Sequence, residues 1–340
     1  AKTMPTGTTT VALADIMGLK GYQWSKLDLD FANTWTFVVD DESTTDVNEE
    51  STPILQVFAE EIIDVSTVDR LFSTNWYDEN ATEYVLKDKA DLYGFASLSQ
   101  TNDFAGKIIK LGADIVINEG NVADWATEAP GLTWTPIGKT TVFKGTFDGQ
   151  MHTISGLYVQ ETSANAGLFG KAESATIQNL KLVNSCIKTS SADAGSIVGA
   201  APKCAIENVY SDAIVVSSNK RVGGLVGQMT GVSSIQKCWF DGSAKTTMTG
   251  SDPAIGGIVG LVQSDGTQCQ ISNCLNSGTV SAVNSTDGGP EIGGLVGGKY
   301  TNKSNSTLTV ENCLNTGSVI GASAVTGDFG PFIGYNANGT

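Results

Sequence analysis

The sequence predicts an all-β chain: a right-handed parallel β-helix solenoid, entered by a short N-terminal capping helix and preceded by a β-rich N-terminal extension. Three observations predict it. A glycine phrase returns through the second half as "AGLFG" (166–170), "GSIVG" (195–199), "GGLVG" (223–227), "GGIVG" (256–260), "GGLVG" (293–297) and "GPFIG" (330–334). Between its copies, β-branched and other apolar residues alternate at period two, the signature of half-buried strands. That alternation slips by one place at an asparagine, which a strand can do only at a bend or bulge.

Residues 1–83 hold no copy of the phrase. "ANTWTFVVDD" (32–41) reads as a strand, "DESTTDVNEESTP" (41–53) as an exposed acidic loop, and "ILQVFAEEIIDVSTVDRLF" (54–72) as apolar stretches of either type. This segment is a small acidic β-rich domain or an extension. Residues 1–88 carry 17 acids and 5 bases against 19 and 15 in residues 89–340, a shift that places a boundary near residue 85 and the solenoid at 84–340. In "DKADLYGFASL", Asp88 is expected to cap a helix with Leu92, Phe95 and Ala96 on one side. That helix would cover the first coil, whose open end otherwise offers unpaired backbone and apolar interior.

The central apolar residues of the glycine phrases, taken as Leu168, Ile197, Leu225, Ile258, Leu295 and Ile333, are 29, 28, 33, 37 and 38 apart. A period that varies by insertion suits a solenoid with unequal loops. Each unit also holds a second phrase, "IQNLKL", "IENVYS", "IQKCWF", "ISNCLNSGTV" and "VENCLNTGSV". The parity slip falls on Asn273, and the same column holds Asn179, Asn208 and Asn312, with Lys237 the departure. Asn tolerates the left-handed backbone of such a corner, and stacked Asn side chains are expected to hydrogen-bond from coil to coil. Counting three and nine residues past each starting apolar residue gives interior columns Leu180, Val209, Cys238, Cys274, Cys313 and Cys186, Val215, Ala244, Val280, Val319. Helical-pair repeats share this range of periods, but Gly costs about 1 kcal/mol relative to Ala in a helix, and these repeats are rich in it. Short parallel strands stacked about 4.8 Å apart satisfy the pattern, with the right-handed crossover.

Later units lengthen at "TTMTGSDPA" (246–254), "AVNSTDGGPE" (282–291) and "KYTNKSNSTLT" (299–309), loops expected to project to one side. Their residues Thr246, Asp252, Asn284, Asp287, Tyr300, Asn302 and Asn305 are the candidate binding residues. "GPFIGYNANGT" follows the last phrase directly, so the last coil is expected to lie open.

"FKGTFDGQMHTISGLYV" (143–159), followed by "GLFG" and "IQNLKL", resembles the GLUG-motif repeats of secreted and surface-attached bacterial proteins, and "YVLKDKADLYGFASLSQTNDFAGKIIKLGADIVI" (84–117) resembles the lead-in to such repeats. The resemblance spans about 84–340. Some members of that family are large proteases that carry a separate zinc-peptidase domain. This chain has no His-Glu-x-x-His, so the resemblance implies the scaffold and a cell-surface context, not an activity.

Chemistry has few footholds. A single histidine, His152, in the turn-like "FDGQMHTISG", excludes a two-His metal site and would have to serve any Ser-His-Asp or Cys-His machinery. "GGLVGGKY" (293–300) approximates a phosphate-binding loop, but Tyr300 stands where the metal-binding hydroxyl belongs and the sister phrases lack the lysine. The glycines instead mark places where coils pass too closely for a side chain, or where φ is positive. All six cysteines fall on columns read as inward, where parallel, in-register side chains aim poorly for a bridge, so free thiols are favoured. Asp148 and Asp241 each sit in "FDG", several coils apart, which does not make the carboxylate pair of a glycosidase. The acidic stretches at 28–30 and 40–42 match no spaced cation loop. No catalytic residue, cofactor or metal is therefore expected.

A net charge of −16 repels nucleic acid and anionic membranes, and no apolar run is long enough to span a bilayer. The expected function is a non-catalytic extracellular or cell-surface scaffold, its leader removed, whose loops bind a glycan or protein of a host or neighbouring cell. Self-association through the open last coil into a head-to-tail filament is the alternative, and a carbohydrate-active enzyme a third reading.

Overall fold

The computed structural model describes residues 35–38, 52–55 and 72–337, except 191–192, 219, 249–252, 265–266, 284–288, 301–305 and 322–326. The chain divides into two compact units, Ala1–Arg70 and Leu71–Thr340. In the first, Trp35–Val38 pairs antiparallel with Thr52–Leu55. The expected strand in 32–41 is there; the rest of the first unit lies outside the described residues.

The second unit is a parallel β-helix. Its coils are joined by one continuous register that runs Tyr84, Ile109, Phe147, Ile177, Ile206, Ile235, Ile271 and Val310, each residue beside its counterpart one coil away. All but Val310 are buried, and Val310 packs against the same core. A second file runs Val159, Ile187, Val215, Ala244, Val280 and Val319. A third runs Phe169, Val198, Val226, Val259, Val296 and Ile333. Each fully buried Val, Leu or Ile contributes about 1.5–3 kcal/mol, so these files are the main source of stability.

Corners are cut where the parity slip placed them. Asn179, Asn208, Lys237, Asn273 and Asn312 all adopt positive φ, between 52° and 56°. Glycines of the repeat phrase have a different task. None of Gly223, Gly224, Gly256 or Gly257 has positive φ. A Cβ on Gly224 would stand 2.1 Å from the carbonyl oxygen of Gly257 and 2.4 Å from Phe240. Close passage of coils, the first of the two expected reasons, is what requires glycine there.

The capping helix spans Lys89–Leu98, and Asp88 accepts a hydrogen bond from the Asp91 amide at 2.9 Å. Leu92, Phe95 and Ala96 are buried as expected. Phe95 meets Phe104 edge-on at 5.1 Å and stacks on Phe147 at 6.0 Å, sealing the first coils with aromatic rings. Trp76 and Tyr77 join this cap, so the coiled unit begins before residue 84.

Three sequence assignments need correction. Cys186 pairs with Ile214, whereas Ile187 pairs with Val215, so Ile187 occupies the interior column and Cys186 faces outward. The cause is one extra residue in that coil, taken up where Asn184 turns with φ 46°. Fixed counting from Ile177 could not register it. The last glycine phrase is also shifted: Ile333 pairs with Val296, and the Leu295 amide bonds the Phe332 carbonyl, so Phe332 continues the leucine column. Finally, the long loops do not share one side. Two of them join Ser243–Thr246 to Ala254–Gly256 and Thr279–Ala282 to Glu291–Gly293, the same corner of successive coils. The third joins Val296–Tyr300 to Thr307–Glu311, at a different corner of the coil.

Candidate functional site

Asp252, Asn284, Asp287, Asn302 and Asn305 lie outside the described residues. Thr246 does not project: it ends a strand with 0 % exposure and accepts a hydrogen bond from the Met248 amide at 3.1 Å. Parity decides this, because Thr246 stands two residues beyond inward Ala244. Tyr300 is half-buried; its hydroxyl donates to Glu291 Oε1, and its ring lies 5.3 Å from that of Tyr335.

Asp148 closes the corner ladder. Its carboxylate accepts from the Gln150 amide (2.9 Å), Asn179 Nδ2 (3.0 Å) and Gln178 Nε2 (2.9 Å). Burial pushes this carboxyl up, but the three N–H donors outweigh it and hold it below the ordinary range. His152 leads into the strand Thr153–Ser155 as expected, and its Nδ1 lies 3.2 Å from Asp114 on the outside of the coil. Of the cysteines, five are buried and Cys313 is half-buried, all as free thiols. Outward Cys186 is roofed by the excursion that follows Asn118, where Trp125 packs edge-on against Tyr158 at 6.3 Å and its carbonyl accepts from Lys188 Nζ at 2.9 Å.

The outer face just past the asparagine corner carries the most distinctive surface. Here Lys181, Tyr210, Trp239, Leu275 and Leu314 form an outward file across five coils. Trp239 is 43 % exposed although it lies between buried Cys238 and Phe240. Its ring centroid is 4.9 Å from that of Tyr210. Two residues further along each strand stands a polar file, Asp212, Asp241, Ser277 and Thr316. The Trp239 indole N–H donates to Ser277 Oγ at 2.7 Å, and the Ser277 hydroxyl donates to Asp241 Oδ1 at 2.6 Å. Burial, and to a lesser extent the charge of Asp241, raise the Asp212 carboxyl, against the opposing Asn184 amide. The neighbouring-coil carboxylates that the two "FDG" words do not form are therefore Asp212 and Asp241. Their signal was present in the sequence as the "YSD" and "WFD" that follow the interior valine and cysteine, positions that a search for core columns passes over.

No family model matches the chain. A stretch of 116 residues, 33 % of the chain, is 39 % identical to Halomucin of Haloquadratum walsbyi (strain DSM 16790 / HBSQ001). The chain spans about 1 % of the length of that protein. Among solved structures, a Bacteroides ovatus protein provisionally named as an immunoglobulin A1 protease superposes with a TM-score of 0.48 at 16 % identity, over 79 % of this chain and 87 % of that one.

Proposed function

We propose that the chain is a non-catalytic scaffold of the extracellular space or cell surface, which adheres to a partner through its outer face and corner loops. The observation that carries this reading is the division of labour within each coil. Interior files are filled mainly with Val, Ile, Leu and Cys, while the longest insertions, 246–254, 282–291 and 299–309, are confined to two corners. Such a plan keeps a rigid rod constant and varies what it displays. The likeness of a 116-residue stretch to Halomucin and the resemblance to GLUG repeats support the surface setting. Among the described residues no helix is long and apolar enough to cross a membrane, and no cluster of metal-ligating side chains occurs. Beads coated with the purified chain are expected to be retained on cells or extracellular matrix above albumin-coated controls. Equal retention would count against adhesion, and bond cleavage in a screen of neutral and acidic polysaccharides would overturn the non-catalytic half.

A further inference from the structure

We infer that the shelf built by Tyr210, Trp239, Asp212, Asp241 and Ser277 is a binding site for a neutral glycan, recognised through the pyranose face and its hydroxyls. This deepens the adhesive reading and rests on it.

A single exposed aromatic side chain is ordinary and calls for no explanation. Trp239 differs in being fixed. Its one donor is already used within the protein, on Ser277, which is in turn anchored on Asp241. A ligand therefore meets the indole through its π face rather than its N–H. Tyr210 packs edge-to-face with that ring from the adjacent coil, centroids 4.9 Å and planes 67° apart, so the indole is preorganised and little rotamer freedom remains to be lost on binding. Strands about 4.8 Å apart set the aromatic residues at roughly the width of one sugar ring.

The flanking chemistry selects the ligand. Asp212 and Asp241 only accept hydrogen bonds when ionised, and Ser277, whose hydroxyl hydrogen is given to Asp241, can offer a ligand only its oxygen as acceptor. A partner must therefore offer an apolar C–H face together with hydroxyl donors at its edge, which is the surface of a pyranose. Bases of single-stranded nucleic acid also stack on aromatic rings, but their phosphates would face two carboxylates on a chain of net charge −16. The same repulsion disfavours uronate or sulfated glycans. Lys181, next to Tyr210 in the file, places a cation at the edge of the shelf.

The test is affinity electrophoresis of the full chain in native gels containing galactomannan, mixed-linkage β-glucan or arabinoxylan, with hyaluronan and pectate as anionic comparisons. A hexasaccharide of any polymer that retards the protein is then titrated calorimetrically. At least one neutral polymer should retard the chain. Trp239→Ala should weaken the hexasaccharide by about tenfold or more, as loss of an aromatic anchor does, with unchanged circular dichroism and melting temperature. Tyr210→Ala, a second outward position, should weaken it less. Retardation by no neutral polymer, retardation by the anionic polymers alone, or wild-type affinity in a folded Trp239→Ala chain would each overturn the inference. Bead adhesion that survives Trp239→Ala would sink the glycan shelf while leaving the adhesive scaffold standing; absence of adhesion in the wild type would sink the scaffold reading itself.

Discussion

Asn208 donates from its side-chain amide to Asn179 Oδ1 at 2.9 Å, one coil away, and both residues hold a left-handed backbone with φ of 56° and 54°. Asn179 in turn donates to Asp148. The corner is thus a vertical ladder that serves the backbone and the side chains together: the conformation that turns the strand also stacks the amides. Lys237 interrupts it, holding φ 55° with an alkyl chain and reaching Glu207 with its ammonium at 2.7 Å.

Lys237→Asn should therefore stabilise the protein. A left-handed conformation costs an ordinary L-residue roughly 1–2 kcal/mol, a cost that Asn partly escapes. The ion pair that is lost is exposed and contributes about 0–1 kcal/mol. The expected net gain is about 0.5–1 kcal/mol, a rise of about 2 °C in melting temperature. Lys237→Gly should move it the same way. A lower melting temperature in both variants would contradict the ladder account.

Gly224→Ala should do the reverse. Its Cβ would fall 2.1 Å from a backbone oxygen in the next coil and 2.4 Å from the buried Phe240 ring. Neither the paired backbone nor a ring within the core can yield cheaply, so a loss of about 3 kcal/mol or more is expected. Urea unfolding followed by circular dichroism would show a lower midpoint. In contrast, Gly131, with nothing within 4 Å of an added Cβ, should accept alanine with little change.

Buried Asp193, paired with the partly exposed Arg221, should give stability an unusual pH dependence. Arg221 Nε lies 2.6 Å from Asp193 Oδ1. Even so, burial outweighs the guanidinium and pushes the Asp193 carboxyl up to about 6, from an ordinary value of 3.8. The folded state thus holds this proton more tightly than the unfolded chain. Its contribution is fully present below pH 3.8 and is lost as pH rises through about 6. Against the other carboxylates, this group alone should lower stability by about 2–3 kcal/mol across that interval. Comparing urea midpoints of wild type and Asp193→Asn at several pH values isolates it; superimposable pH profiles would refute it.

The thiols should be silent until the protein unfolds. Burial raises Cys186, Cys204 and Cys269 to about 11. Cys274 rises to about 12 chiefly through its contact with Cys238, and Cys313 rises through its contact with Cys274. The reactive thiolate is therefore scarce at pH 8. Iodoacetamide should label none of these five rapidly in native buffer and all six cysteines of the chain in urea. Rapid native labelling of Cys186 would mean that the Trp125 roof lifts.

The corner, the interior columns and the capping helix were all legible because each imposes a demand on residue type. A left-handed turn asks for Asn, a file between coils asks for small apolar side chains, and a helix start asks for an Asp. Cys186 was misplaced because offsets counted along one coil assume constant length, and a single residue at Asn184 breaks that count. Thr246 departs from expectation for a related reason: a loop boundary set by polarity does not register the strand parity that carries Thr246 inward. Tyr210 and Trp239 are not legible in the sequence because outward positions obey no packing rule. Their meaning lies in neighbours one coil away, which only the register brings together.

The aromatic rings of the capping region, Trp76, Tyr77, Tyr84, Phe95, Phe104, Phe143 and Phe147, gather at one pole of the solenoid, whereas the windings from Ile177 onward are filled mostly by aliphatic files. Because every winding touches only the ones above and below it, the free energy of the rod is graded from pole to pole. Under tension or heat the aliphatic windings would loosen before the ring-rich one and rewind onto it, so the ring-rich pole is the natural place from which such a rod could be held without losing its template.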